Sequence, residues 1–407
     1  MHEVESNTTF APVARSAVTE LRSSKIREVA NAAMGKPEVL PFWFGEPDVP
    51  TSAGIRAAAI KSINDAETLY VQTLGLPALR EQLAQYVSDL HSTRSVENIA
   101  VTSGGVTSLM IAVQSIVGYG DTVVAVTPIW PNLVEMPKVL GASVTNVSLE
   151  FTEQGWQLDM NKLIDALRPG TKALLINSPN NPTGWVMSRQ ERELVLNHCR
   201  KHGIWIISDD VYERYYFEGK VAPTFLDFAH QEDRVISCNS FSKTWRMTGW
   251  RAGWIVMPHQ MLADIGKLIE YNSTCAPAFV QRGAIHALVH GEDEIKSDVE
   301  RLKRARDRLA AGLAAIPGVL SAPPASGAMY TFFKVEGLQD SLTFAKELVS
   351  RGKLGLAPGI AFGPEGEGFL RWCFASSDER LDEGIARLKD YLARYGVAGT
   401  ASITTAA

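Results

Sequence analysis

The sequence predicts an α/β fold: a large domain whose mostly parallel sheet is flanked by helices, and a smaller α/β domain. Three observations carry this reading. Short β-branched runs alternate with amphipathic helical stretches from Ile99 to Met257, the pattern of strands joined by helical crossovers. After a long charged helix at 292–315, of a length that suits a connector, the alternation resumes to Tyr395. At 407 residues the chain also exceeds the roughly 250–300 residues at which a single core stops growing.

Taken in order, residues 1–20 are polar and aperiodic and read as an arm. A helix follows at 24–33, with Ile26, Val29 and Ala30 on one face and Gly35-Lys36-Pro37 as its stop. The aromatic run 39–48 is broken by Gly45 and Pro47. Trp43 and Phe44 fit a core, while Gly45 fits either a turn or a close approach of backbone to ligand. Helices at 51–63 and 78–90 flank a glycine-bearing loop that carries Tyr70. Strands are then expected at 99–102, 122–126, 143–147, 172–176, 204–207, 235–236 and 254–257, with helices between them. Beyond the helix 279–290 and the connector come strand 330–335, helix 342–351, strand 369–374 and helix 378–395.

Composition narrows the function classes. Hydrophobic residues at 45%, charged residues at 21% and a net charge of −5 describe an ordinary globular chain. They speak against nucleic acid or an anionic membrane as partner. Four scattered cysteines without a CxxC suit free thiols in a reducing compartment. The polar N-terminus lacks the features of a signal peptide, and no apolar run approaches the roughly 18 residues of a membrane span. A cytoplasmic protein is therefore expected.

Ligands of parallel sheets bind outside the carboxyl ends of the strands. Just past those ends stand Ser103-Gly104-Gly105, Trp130, Asn177 to Gly184, Ser208 to Tyr212 and Ser240 to Lys243. Glycine amides, an indole, an amide side chain, a carboxylate, a phenol and a lysine thus reach one rim. In isolation each has a plain structural reading: Lys243 as a loop lysine, Ser103-Gly-Gly as a turn, Tyr70 as a packed tyrosine. Together they match a specific need. Asp209 can sit under a ring nitrogen, and Trp130 can stack on the ring. Ser240 with Arg251 can take a phosphate, and Lys243, depressed in pKa by burial and a nearby cation, can act as the amine nucleophile. Two further clusters read as solvated helix faces: His198/Cys199/His202, with His286/His290, and the basic run from Arg301 to Arg308. No metal site is expected.

Five motifs stand in one order: Gly45-Glu-Pro-Asp48, Asn180-Asn-Pro-Thr-Gly184, Asp209-Asp-Val-Tyr212, Ser240-Phe-Ser-Lys243 through Gly249-Trp-Arg251, and Leu370-Arg371. The string resembles the fold type I pyridoxal-phosphate-dependent aminotransferases of class I/II, the aspartate, aromatic and alanine aminotransferase superfamily, over about Arg27 to Tyr395. The resemblance implies a large cofactor-binding domain at 51–292, a small domain built from 21–50 and 293–396, and a flexible tail at 397–407. It implies that Lys243 carries pyridoxal 5'-phosphate as a Schiff base and moves a proton between substrate and cofactor. Asp209 is implied to keep the pyridine nitrogen protonated, and Tyr212 and Asn181 to bond the ring's phenolic oxygen. Trp130 is to stack on the ring. Ser240, Arg251 and the amides of Gly104, Gly105 and Val106 are to hold the phosphate, with Tyr70 reaching in from the second subunit of a homodimer. Arg371 is to grip the substrate α-carboxylate, beside Gly45, Trp130 and Asn181.

Departures from the family pattern bear on the substrate. Val106 occupies the place of a lysine that reads a side-chain carboxylate in one bacterial branch of aspartate aminotransferases, and no other arginine matches a distal acid by motif. Trp43 and Phe44 add aromatic surface. One substrate is therefore expected to be a neutral, bulky or aromatic L-amino acid, and the other a dicarboxylate such as glutamate or 2-oxoglutarate. Other pyridoxal chemistry on this fold, a β-lyase, an aminocyclopropane-type synthase or a racemase, is the alternative. A non-catalytic regulator that binds the cofactor is a more distant one.

Overall fold

The computed structural model describes residues 13–397. Positions 1–12 of the expected arm and 398–407 of the expected tail lie outside the described residues. Within the arm, Ser16–Thr19 form one helical turn, and the Arg15 guanidinium donates to the Val139 carbonyl at 2.7 Å.

Seven strands make the main sheet: β1 (Ile99–Thr102), β2 (Thr122–Thr127), β3 (Ser143–Ser148), β4 (Ala173–Asn177), β5 (Trp205–Asp209), β6 (Val235–Ser240) and β7 (Gly253–Val256). Their spatial order is β1-β7-β6-β5-β4-β2-β3. Pairing is parallel from β6 to β3, and β7 runs antiparallel to both β1 and β6. Every residue of β1, β4 and β6 is buried. Helices cover both faces, so these strands have no solvent side and read as continuous runs rather than alternating ones. Strand β6 is longer than expected, because Ser237, Cys238, Asn239 and Ser240 continue the ladder opposite β7. Their polarity hid them.

Register then decides what meets at the rim. Asn177 is level with Asp209, and Asp209 with Cys238. Gly253 is level with both Ser240 and Thr102. The chain leaving β1, β4, β5 and β6 therefore starts from one edge.

A second, antiparallel sheet contains Val319–Leu320, Tyr330–Val335, Phe369–Cys373 and Ala357–Pro358. Leu40–Pro41 pairs with Leu354–Gly355, which brings the segment before Gly45 alongside the C-terminal part of the chain. Two-residue strands carry too little periodicity to be read from sequence. The hairpin Glu150–Thr152/Gly155–Gln157 was likewise not foreseen. On the helix Glu292–Ala314, Lys303, Arg304 and Arg308 are exposed, as a solvated face requires. Arg308 pairs with Asp378 and Asp382 at 3.1 and 2.7 Å, and the Arg306 guanidinium lies 4.6 Å from the Phe217 ring centroid. His198 pairs through Nε2 with the Leu167 carbonyl at 2.7 Å, and Cys199 is buried. Among the described residues no helix is long and apolar enough to cross a membrane.

Candidate active site

A cavity of about 220 Å³ opens at the rim, lined among others by Asp209, Tyr212, Lys243, Asn181, Arg371 and Tyr330. Lys243 follows β6 on a turn whose main chain is fixed from outside, since the Tyr215 hydroxyl donates to the Lys243 carbonyl at 2.6 Å. Its amine donates to the Gly45 carbonyl. Burial draws that amine down to about 8. Cys373 and Glu46 oppose the shift, while the Arg371 and Arg251 guanidiniums add to it. An amine lowered this far holds a larger neutral fraction near pH 7 than an ordinary lysine, the form that can act as nucleophile or base.

Asp209 ends β5, buried, with the Val211 amide at 3.4 Å from its Oδ1. Burial first, and then the neighbouring Asp210, pushes its carboxyl up to about 7. Among the described residues no cation forms an ion pair with it. A buried carboxylate of this kind is stabilised when a protonated ring nitrogen is set against it.

One end of the cavity is built for an anion. Gly104 (φ 104) precedes the helix Gly105–Ile116, whose first amides are free for a ligand. A Cβ on Gly104 would stand 2.5 Å from Arg251 Nη2, so glycine is what admits the guanidinium here. The Ser240 hydroxyl donates to Ser242 Oγ at 2.9 Å, and Arg251 Nη1 stands 3.5 Å from Ser242 Oγ. Arg251 forms no ion pair among the described residues. Its charge, two hydroxyls and a helix N-terminus suit a phosphate.

At the other end Arg371 is buried, donating from Nη1 to Asn181 Oδ1 at 2.8 Å and from Nη2 to the Trp43 carbonyl. Its guanidinium stacks 4.4 Å from the Tyr330 ring centroid and 4.8 Å from that of Phe362. Asn181 is held by its neighbour, because Asn177 Oδ1 accepts from the Asn181 amide at 2.7 Å and Asn177 Nδ2 donates to the Asp209 carbonyl at 3.0 Å.

Of the sequence-predicted residues, Gly45, Gly105, Val106, Trp130, Asn181, Asp209, Tyr212, Ser240, Lys243, Arg251 and Arg371 line this one cavity. Gly104 stands one residue back. Tyr70 does not line it, and is 87% exposed. The aromatic expectation is corrected in part: Phe44 lines the cavity, whereas the Trp43 ring is buried in the core against Gly355. Packing of Trp43 against Gly355 leaves Phe44 as the aromatic ring of the pair that lines the cavity. Sequence reasoning missed Tyr330 and left Ser242 without a role. The serine sat inside a quoted motif, but Tyr330 begins an apolar strand and carried no signal.

The chain resembles known proteins along most of its length. The profile of the family described as aminotransferase class I and II matches residues 37–388. An aspartate aminotransferase of Pyrococcus horikoshii is 32% identical over 377 residues, 91% of this chain and 95% of that protein. One from Thermotoga maritima is 32% identical over 381 residues, 92% of this chain and 98% of the relative. Among solved structures, a Thermotoga maritima aspartate aminotransferase superposes with a TM-score of 0.85 at 30% identity, covering 93% of this chain and 100% of the other. An aromatic aminotransferase from Pyrococcus horikoshii gives 0.83 at 26% identity, covering 91% and 100%.

Proposed function

The chain belongs to the class I and II aminotransferases, and on that premise we propose that it moves an amino group between a neutral, bulky or aromatic L-amino acid and a 2-oxo acid. It is a pyridoxal-phosphate-dependent transferase. The residues present fit that cofactor. Arg251 with two serine hydroxyls and a helix N-terminus, a buried carboxylate without an ion pair among the described residues, and a partly buried lysine of lowered pKa meet at one cavity. When bound, the cofactor supplies an aldehyde that condenses with amines and a ring that withdraws electrons from the substrate Cα.

The chain's own side chains would divide the remaining work. Ser240, Ser242, Arg251 and the Gly104, Gly105 and Val106 amides hold the phosphate, with Trp130 against the ring face. Asp209 keeps a proton at the ring nitrogen. Tyr212 and Asn181 bond the phenolic oxygen. Arg371 takes the α-carboxylate beside Gly45, which fixes the direction of the Cα–H bond. Lys243, the covalent anchor, takes and returns the Cα proton. The reading also includes a cytoplasmic homodimer in which the exposed Tyr70 reaches the partner's phosphate. A large domain at 51–292 would carry the cofactor, and 21–50 with 293–396 would form the small one.

The observation that carries the substrate assignment is the lining itself. Ile26, Phe44 and Val106 are apolar, and the three cations that line the cavity, Lys243, Arg251 and Arg371, each already have a role. A panel of amino donors against 2-oxoglutarate and pyruvate tests it, with neutral and aromatic donors expected to outpace aspartate. Release of ammonia without amino transfer would favour a lyase and overturn the proposal.

A further inference from the structure

The two substrates of an amino-transfer reaction use one cavity in turn, so a site for a neutral donor must also accept the oxo acid that completes the cycle. The cavity wall offers apolar surface at Ile26, Phe44 and Val106, and Phe44 and Val106 are each 39% exposed. Against Phe44, next in sequence to Ile26 and outside the residues that line the cavity, stands a fourth cation, exposed to solvent. The Arg27 guanidinium lies 5.7 Å from the Phe44 ring centroid, and its backbone is fixed near the start of a helix where Ser24 Oγ accepts from the Arg27 amide at 3.3 Å. Glu28 beside it is engaged by Lys25 and Lys346, at 3.1 and 2.6 Å. Arg27 forms no ion pair among the described residues. An aromatic face orders a guanidinium without neutralising it, leaving its edge donors free for a carboxylate. Glu46, two residues after Phe44, accepts from the Thr248 hydroxyl at 2.8 Å.

We propose that Arg27 is the specificity residue for a dicarboxylic 2-oxo acid: its guanidinium, ordered by Phe44 at the cavity mouth, binds the distal carboxylate. Uncharged side chains settle instead on Ile26, Phe44 and Val106. The inference rests on the amino-transfer reading above. It assigns the acceptor's recognition to a residue that shares no motif with the reacting centre.

The test uses the cofactor-loaded enzyme and a neutral donor. Arg27→Ala is expected to raise KM for 2-oxoglutarate about tenfold, the low end for a hydrogen bond to a charged group, with kcat unchanged and KM for pyruvate unchanged. Arg27→Lys should keep part of the affinity, since a point charge replaces the fork. Calorimetric binding of inert glutarate should weaken by a similar factor in Arg27→Ala, and that of inert butyrate should not. Equal changes for both acceptors, or none for either, would overturn the proposal. If the unmodified enzyme transfers no amino group, the amino-transfer reading fails by itself, and the glutarate and butyrate titrations still decide the role of Arg27.

Discussion

The Tyr212 and Tyr330 hydroxyls lie 2.6 Å apart, both side chains buried and their rings edge to face with centroids 5.6 Å apart. Tyr212 leaves the carboxyl end of β5, and Tyr330 opens a strand of the second sheet. The bond therefore joins the two sheets at the floor of the cavity.

Tyr330→Phe removes that partner while keeping the ring on which Arg371 stacks. The cofactor-free enzyme is expected to lose about 1–3 kcal/mol, the cost of leaving a buried hydroxyl without its bond. The loss should shrink in the loaded enzyme, where Tyr212 has the ring's phenolic oxygen to bond. Urea unfolding of both forms measures the difference, and equal losses would show that Tyr212 does not reach the cofactor.

Gly45→Ala tests the same floor from the other side. A Cβ there would stand 1.8 Å from Tyr330 Oη and 2.9 Å from its Cζ, and the tyrosine cannot retreat without giving up Tyr212. The expected cost is about 1–3 kcal/mol of overpacking, with KM for the amino acid raised. Adding Tyr330→Phe removes the nearest clash, so the double variant should lose less than the sum of the two, read by urea midpoints and by KM.

Lys243→Ala should still bind pyridoxal phosphate through Ser240, Arg251 and the helix N-terminus. Turnover should fall by about 100- to 10,000-fold or more, because anchoring and proton transfer go together. Absorbance of the bound cofactor and single-turnover rates report the two separately. Turnover close to the parent would refute the role of Lys243.

Asp209 makes the stability of the cofactor-free enzyme depend on pH in a predictable direction. Its carboxyl is raised to about 7 from an ordinary 3.8, so the folded state binds the proton more tightly than the unfolded chain. Its contribution is fully present below about pH 4 and is lost as pH rises through about 7. Asp209→Asn should remove that slope and be more stable than the parent at pH 8 when free of cofactor. Loaded with cofactor, the order should reverse. Thermal unfolding midpoints between pH 4 and pH 8 check both signs.

Much of the site was legible because it lies next to strand ends. Asn181, Asp209, Ser240 and Lys243 each follow a buried apolar run by a few residues, and the rule that ligands meet parallel strands at their carboxyl ends collected them without coordinates. Tyr330 escaped because an aromatic residue at the head of an apolar strand looks like core. Trp43 was misplaced for a related reason: Trp43 and Phe44 are equally aromatic, and nothing local says which one faces the cavity.

By itself the sequence determined the alternating α/β order, the residues at the ends of the parallel strands and, through its ordered motifs, the family. Only the tertiary structure decided that Arg371 sits against Asn181 and that Tyr330 meets Tyr212 and Gly45. Local patterns report which face of an element is apolar, because neighbours in sequence share a backbone geometry. Contacts between residues more than a hundred positions apart depend on how two sheets pack, and no local pattern encodes that.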